Sequence, residues 1–127
     1  MVHVPAKNLH ILLVDDEAPT RHAIHEMLTD SGFRVRDAGD AQEALAILKK
    51  QRTAFDLLIT DLMLPQMKGL DLAGEAQRLQ PGLKVLYITG HDRSVMAASL
   101  QASQALLLKP FTREEIVRVI RQLLEKE

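Results

Sequence analysis

Three carboxylates, a hydroxyl and an ammonium stand at the ends of short apolar runs in this chain. Asp15 and Asp16 follow Ile11 to Val14, Asp61 follows Leu57 to Thr60, Thr89 closes the run from Val85, and Lys109 follows Ala105 to Leu108. Carboxylates crowded together repel and resist ionising unless a cation neutralises them. Oxygen donors in a chain with no cysteine suit Mg²⁺. A lysine and a threonine hydroxyl beside such a cation would hold the equatorial oxygens of a phosphoryl group, whose charge must be spread during transfer. One carboxylate could then attack phosphorus and become an acyl phosphate.

These groups are distant in sequence, so secondary structure has to gather them. The four apolar runs are strand-sized, and the alternation Phe33-Arg34-Val35-Arg36 points to a fifth strand of edge character. Helical patterns fall between them. Pro19 suits a first helical turn, Ile24, Met27 and Leu28 repeat at helical spacing, and Gly32 can end that helix. Asp40 and Glu43 have capping-box spacing ahead of Ala41, Ala44, Leu45 and Leu48. Leu70 and Ala73 begin a third helix after Gly69, closed by Pro81-Gly82, and Ser94 to Ser103 has the composition of a fourth. Thr112 and Glu115 form a capping box before the stripe Ile116, Val119, Ile120, Leu123 and Leu124. Strand and helix thus alternate five times. The pattern predicts an α/β fold, a parallel sheet with helices on both faces, right-handed crossovers and ligands bound outside the carboxyl ends of the strands. Those are the ends that carry the five groups.

The 127 residues suit one domain, and 46% apolar with 26% charged residues fits a folded chain better than a disordered one. A formal charge of −1 supplies no basic field for nucleic acid or anionic lipid. The lack of cysteine excludes disulfides, Cys-ligated zinc, iron–sulfur clusters and thiol catalysis. The apolar run from Leu9 is too short, and too soon stopped by Asp15, Asp16 and Glu17, for a signal peptide or membrane span, so a cytoplasmic location is expected.

The segments Ile11-Leu12-Leu13-Val14-Asp15-Asp16-Glu17, Asp61-Leu62-Met63-Leu64-Pro65-Gln66-Met67-Lys68-Gly69, Ile88-Thr89-Gly90 and Lys109-Pro110-Phe111 resemble, in order and spacing, the receiver domain of two-component response regulators. The resemblance runs from Leu9 to Leu124. It implies a flavodoxin-like three-layer sandwich, a five-stranded parallel sheet with five helices, in which residues 9–127 form the receiver domain after an N-terminal arm of residues 1–8. It implies that Asp61 accepts a phosphoryl group from a sensor histidine kinase or histidine phosphotransfer protein, with Thr89 and Lys109 contacting the phosphoryl oxygens. Asp16 and Asp61 would ligate Mg²⁺, Asp15 would act through a bound water, and Met63 would lend its backbone carbonyl. A cis Lys109–Pro110 bond belongs to the same pattern. The chain would be a signalling phosphoacceptor that catalyses only its own phosphotransfer and autodephosphorylation. Its conformational change would address an output domain, a partner protein or a second copy, at the face formed by Ser94 to Leu108 and the last helix.

Departures from the pattern qualify the expectation. Leu106 stands three residues before Lys109, where receivers usually carry a Tyr or Phe that turns inward on phosphorylation. Tyr87, the only tyrosine, lies two residues before Thr89 on the same side of its strand, and core packing is its expected role. The segment from Ser94 to Leu108 has no charged residue, which points to a contact surface. Met63 and His91, two residues beyond Asp61 and Thr89, would flank the approach of water to the phosphoryl group. The histidines are otherwise dispersed; His22 and His25 lack a third metal ligand and read as rim residues. An aspartyl-nucleophile phosphatase of haloacid-dehalogenase type needs a second Asp where Met63 stands. A flavodoxin-like electron carrier would call for a Thr/Ser-rich phosphate loop and more than 3% aromatic residues. A pseudo-receiver signalling without phosphate is disfavoured by the intact acid set. A chain ending just past its last helix fits both a complete protein and one continued by an output domain.

Overall fold

The computed structural model describes residues 9–50, 54–90 and 103–125. Among them the order is β1 (His10–Val14), α1 (Ala18–Asp30), β2 (Arg34–Ala38), α2 (Ala41–Lys50), β3 (Leu57–Asp61), α3 (Gly69–Leu79), β4 (Lys84–Thr89), β5 (Gln104–Leu108) and α4 (Arg113–Glu125). The helix expected from Ser94 to Ser103 lies outside the described residues except for Ser103, which is in a turn before β5. His3 and His91 lie outside them as well.

The strands form one sheet in the order β2-β1-β3-β4-β5, and all four neighbouring pairs are parallel. The interior strands β1, β3 and β4 are buried along almost their whole length, which is why each reads as an unbroken apolar run. At the edge, β2 alternates exposed Arg34 and Arg36 with half-buried Val35 and Asp37. Successive residues of the inner strands face two cores. Leu12, Val14, Leu58, Val85 and Tyr87 meet Ala44 and Leu48 of α2 and Leu72, Ala73 and Ala76 of α3. Ile11, Leu13, Ile59, Leu86 and Ile88 meet Ile24 and Leu28 of α1 and Ile116, Ile120 and Leu123 of α4. Three layers follow from the period-2 strands and the apolar helix stripes.

The helix ends largely obey their local signals. Pro19 occupies the first turn of α1, and Gly32 takes the positive φ of 95° after its end. At α4 the capping box is reciprocal: the Thr112 N–H donates to Glu115 Oε1 at 2.9 Å and the Glu115 N–H to Thr112 Oγ1 at 3.1 Å. At α2 it is displaced. The Glu43 N–H donates to Asp40 Oδ1, but the Glu43 carboxylate accepts the Gly39 N–H at 2.6 Å, one residue earlier than the motif prescribes. Leu70 is exposed rather than core-facing, and Leu72, Ala73 and Ala76 supply the buried stripe of α3.

Candidate functional site

Parallel strands place their carboxyl ends along one edge, so residues at those ends meet whatever their separation in sequence. Asp15 directly follows β1, Asp61 ends β3, Thr89 ends β4 and Lys109 directly follows β5. Asp15 is fully buried. Its Oδ1 accepts the Glu17 N–H at 2.9 Å as the chain turns toward α1, whereas its Oδ2 has no hydrogen-bond partner. The Lys109 ammonium lies 3.6 Å from that oxygen, an ion-pair distance beyond hydrogen-bond reach. It donates a hydrogen bond to Asp61 Oδ2 at 3.1 Å. One ammonium therefore spans carboxylates from β1 and β3. The Lys109 N–H donates to the Thr89 carbonyl at 2.7 Å, which ties the base of the lysine to β4, and the Lys109–Pro110 bond is cis.

The electrostatics follow from this geometry. Burial raises the Asp15 pKa; the Glu17 N–H and Lys109 oppose the rise, and Asp61 and Asp16 add to it. For Lys109 burial acts downward, but the Asp61 hydrogen bond and the charges of Asp15, Asp61 and Glu17 outweigh it, and its pKa is raised. The lysine is thus a firmly charged group at the site.

The loop after β3 doubles back on the strand it leaves. The Gly69 N–H donates to the Leu62 carbonyl at 2.7 Å, and the Leu62 N–H donates to the Ile88 carbonyl at 3.2 Å. A Cβ on Gly69 would overlap the Asp61 carbonyl oxygen and come within 3.0 Å of Leu62 Cα, so this close approach requires glycine. Asp61 Oδ1 accepts the Met63 N–H at 3.3 Å, and the Asp61 side chain is 15% exposed. Asp16, Glu17, Asp61, Met63, Gly90 and Lys109 border an open polar cleft of about 400 Å³.

The predicted residues Asp16, Asp61, Met63 and Lys109 thus share one cleft, with Asp15 buried beside it on the Lys109 ammonium. Thr89 is fully buried at the end of β4 and is not among the cleft-bordering residues. The available donors are all oxygens, and the unpartnered Oδ2 of buried Asp15 offers lone pairs to a cation or its water. These features fit a hard divalent ion such as Mg²⁺. In the present arrangement Asp61 is held by Lys109, and no three His, Cys, Asp or Glu side chains among the described residues are grouped as a metal site.

Arg21, which sequence does not single out, and His25, read as a rim residue, lie at the rim of the site. Arg21 Nη1 donates to the Asp15 carbonyl at 2.7 Å, and Arg21 Nε lies 3.9 Å from Asp37 Oδ2 on β2. His25 Nδ1 is 2.7 Å from Asp37 Oδ1, so this half-buried histidine is paired, whereas His22 is exposed. The available signal was Arg21 and His25 one turn apart on α1 and an acid on the edge strand. Nothing local says that they converge behind Asp15. Tyr87 is fully buried, its hydroxyl accepts the Gln104 side-chain N–H at 3.2 Å, and Leu106 packs against the same core. Burial pushes the Tyr87 phenol up to about 12.

A five-stranded parallel sheet carries acids after β1 and on β3, and a lysine after β5 reaches both, in a three-layer α/β domain. The chain matches the family model of the response regulator receiver domain over residues 11–121, and it belongs to that family. It is similar to the transcriptional regulatory protein GlrR of Escherichia coli K12, with 34% identity over 128 residues; the match covers 99% of this chain and 28% of GlrR. The chain therefore spans only a minor part of the length of that relative. Among solved structures, a response regulator receiver protein from Sinorhizobium medicae is 32% identical with a TM-score of 0.82, covering 91% of this chain and 94% of that one. The response regulator TrrA of Thermotoga maritima, solved in complex with Mg²⁺ and BeF, is 26% identical with a TM-score of 0.78, covering 91% and 98%. No helix among the described residues is long and apolar enough to cross a membrane.

Proposed function

We propose that Asp61 accepts a phosphoryl group from the phosphohistidine of a sensor histidine kinase or phosphotransfer protein, and that the receiver then switches conformation. The observation that carries this reading is Asp61 at the border of an open cleft with the Lys109 ammonium 3.1 Å from its Oδ2. An Asp61 oxygen attacks phosphorus, the P–N bond of the donor breaks, and the leaving imidazole keeps the electron pair and later takes a proton. Lys109 then meets a phosphoryl oxygen instead of the bare carboxylate and offsets its charge. The Thr89 hydroxyl, on a buried residue at the end of β4, is the second phosphoryl contact in this reading. Asp16, Asp61 and the Met63 carbonyl, with Asp15 acting through water, would hold Mg²⁺, which would supply charge neutralisation at the site. Hydrolysis of the acyl phosphate belongs to the same residues. The Met63 side chain, 60% exposed beside Asp61, cannot orient a water and should slow that step.

The receiver unit is taken as residues 9–127 with residues 1–8 as an arm, acting in the cytoplasm. Its output is an attached domain, a partner protein or a second copy meeting the segment from Ser94 to Leu108 and α4. Intact-mass measurement with acetyl phosphate should show one added phosphoryl group in the presence of Mg²⁺. Equal labelling of Asp61→Asn, or labelling indifferent to a chelator, would refute the assignment.

A further inference from the structure

We infer that Arg21 is a positioning residue for the acidic loop that follows β1. The inference rests on the metal and phosphoacceptor roles proposed above. The backbone of Asp15 is held on both sides, its N–H by the end of β2 and its carbonyl by α1. Its N–H donates to the Ala38 carbonyl at 3.2 Å, and its carbonyl accepts from Arg21 Nη1 at 2.7 Å. The guanidinium is itself anchored, because Nε faces Asp37 Oδ2 at 3.9 Å and its side chain is only 18% exposed. Asp37 is held from its other oxygen by His25 at 2.7 Å.

The Asp15 carbonyl lies in the same rigid peptide plane as the Asp16 N–H. A charged donor clamped to that oxygen therefore orients the plane from which Asp16 enters the cleft, and charge-assisted bonds hold more firmly than neutral ones. The Asp15 side chain fixes only the downstream end of the turn, through the Glu17 N–H. Arg21 thus acts through Asp15 and Asp16 and touches no reacting atom.

Position and charge pull in opposite directions here. A guanidinium near a cation site repels the cation, while the clamp presents its ligand. Asp37 offsets much of the charge, so loss of the clamp governs, and the sign of the change in Mg²⁺ affinity distinguishes the two effects.

The test titrates the full chain with Mg²⁺ alone, following the Asp16 amide resonance, alongside the Mg²⁺ dependence of Asp61 phosphorylation by acetyl phosphate and the thermal midpoint without Mg²⁺. Arg21→Met should raise half-saturating Mg²⁺ about five-fold, the worth of one net hydrogen bond, yet reach the parent's phosphorylation plateau at saturating Mg²⁺. Arg21→Lys, which keeps the charge and a donor, should stay within about two-fold of the parent. Unchanged or tighter Mg²⁺ binding by Arg21→Met, with only the thermal midpoint lowered, would overturn the positioning role. If Arg21→Met does not fold, Asp37→Asn decides, because it unties the guanidinium from β2. A rise beyond about two-fold in half-saturating Mg²⁺ supports the clamp, and a value within that range of the parent overturns it. A parent protein that shows no saturable Mg²⁺ binding defeats the metal reading itself, and this inference with it.

Discussion

Tyr87 shows at the scale of one residue how burial becomes a measurable property. The phenol is fully buried, and its pKa is pushed up to about 12. In the unfolded chain it ionises near 10, so between about pH 10 and 12 the folded state holds a proton that the unfolded state has released. Stability falls as pH rises across that window, by about 2 kcal/mol at its upper end. Since Tyr87 is the only tyrosine and the chain has no tryptophan, tyrosinate absorbance reports this group alone. The expected native titration lies well above that of the urea-unfolded chain, or coincides with alkaline unfolding. A native midpoint near 10 would show the ring to be solvated. The same burial supports Tyr87 as a core residue on the Leu106 side of the sheet rather than a free rotor.

At the scale of elements, the junction of β3 and α3 governs where Asp61 points. Gly69 opens α3 directly against the Asp61 carbonyl, and any side chain there must push backbone against backbone. Such overpacking typically destabilises by about 1–3 kcal/mol. Gly69→Ala should therefore lower the urea midpoint and also move the Asp61 and Met63 amide resonances, since the displaced loop carries both. A stability loss in that range with unmoved Asp61 resonances would mean that the strain is absorbed in α3. Gly74, with nothing within 4 Å of an added Cβ, is the matched control: Gly74→Ala should be neutral or slightly stabilising within its helix.

For the whole molecule, the site lowers the stability of the fold that builds it. Asp15 has its pKa raised chiefly by burial, so folding disfavours its ionised form. The sign follows directly. The penalty is absent below the ordinary carboxylate pKa, grows as pH rises above it, and is complete once pH passes the higher folded value. In chelator, Asp15→Asn should thus raise the urea midpoint at pH 7 and lose that advantage in acid. Mg²⁺ should stabilise the parent and have little effect on the variant. Exposed Asp16 lies in high dielectric, so its neutralisation should change the metal-free midpoint much less. A midpoint lowered by Asp15→Asn at pH 7 would show that its ion pair with Lys109 outweighs its burial.

Much of this protein is legible in its sequence because its information is local or periodic. Unbroken apolar runs mark four of the strands, the edge strand β5 among them, alternation marks β2 as an edge, and the caps at Pro19, Gly32 and Thr112 are read from neighbouring residues. Asp61 and Lys109 meet as expected because strand ends of a parallel sheet share one edge, whatever side chains fill the core. What sequence could not specify depends on distance between remote residues. Lys109 bridging Asp15 and Asp61, Thr89 withdrawn into the interior, and Glu43 capping Gly39 are choices among competing partners that only packing resolves. Arg21 is the clearest case. It is one more polar residue on an amphipathic helix until the sheet brings the Asp15 carbonyl and Asp37 within its reach, and a hydrogen bond exists only where the tertiary fold sets the distance.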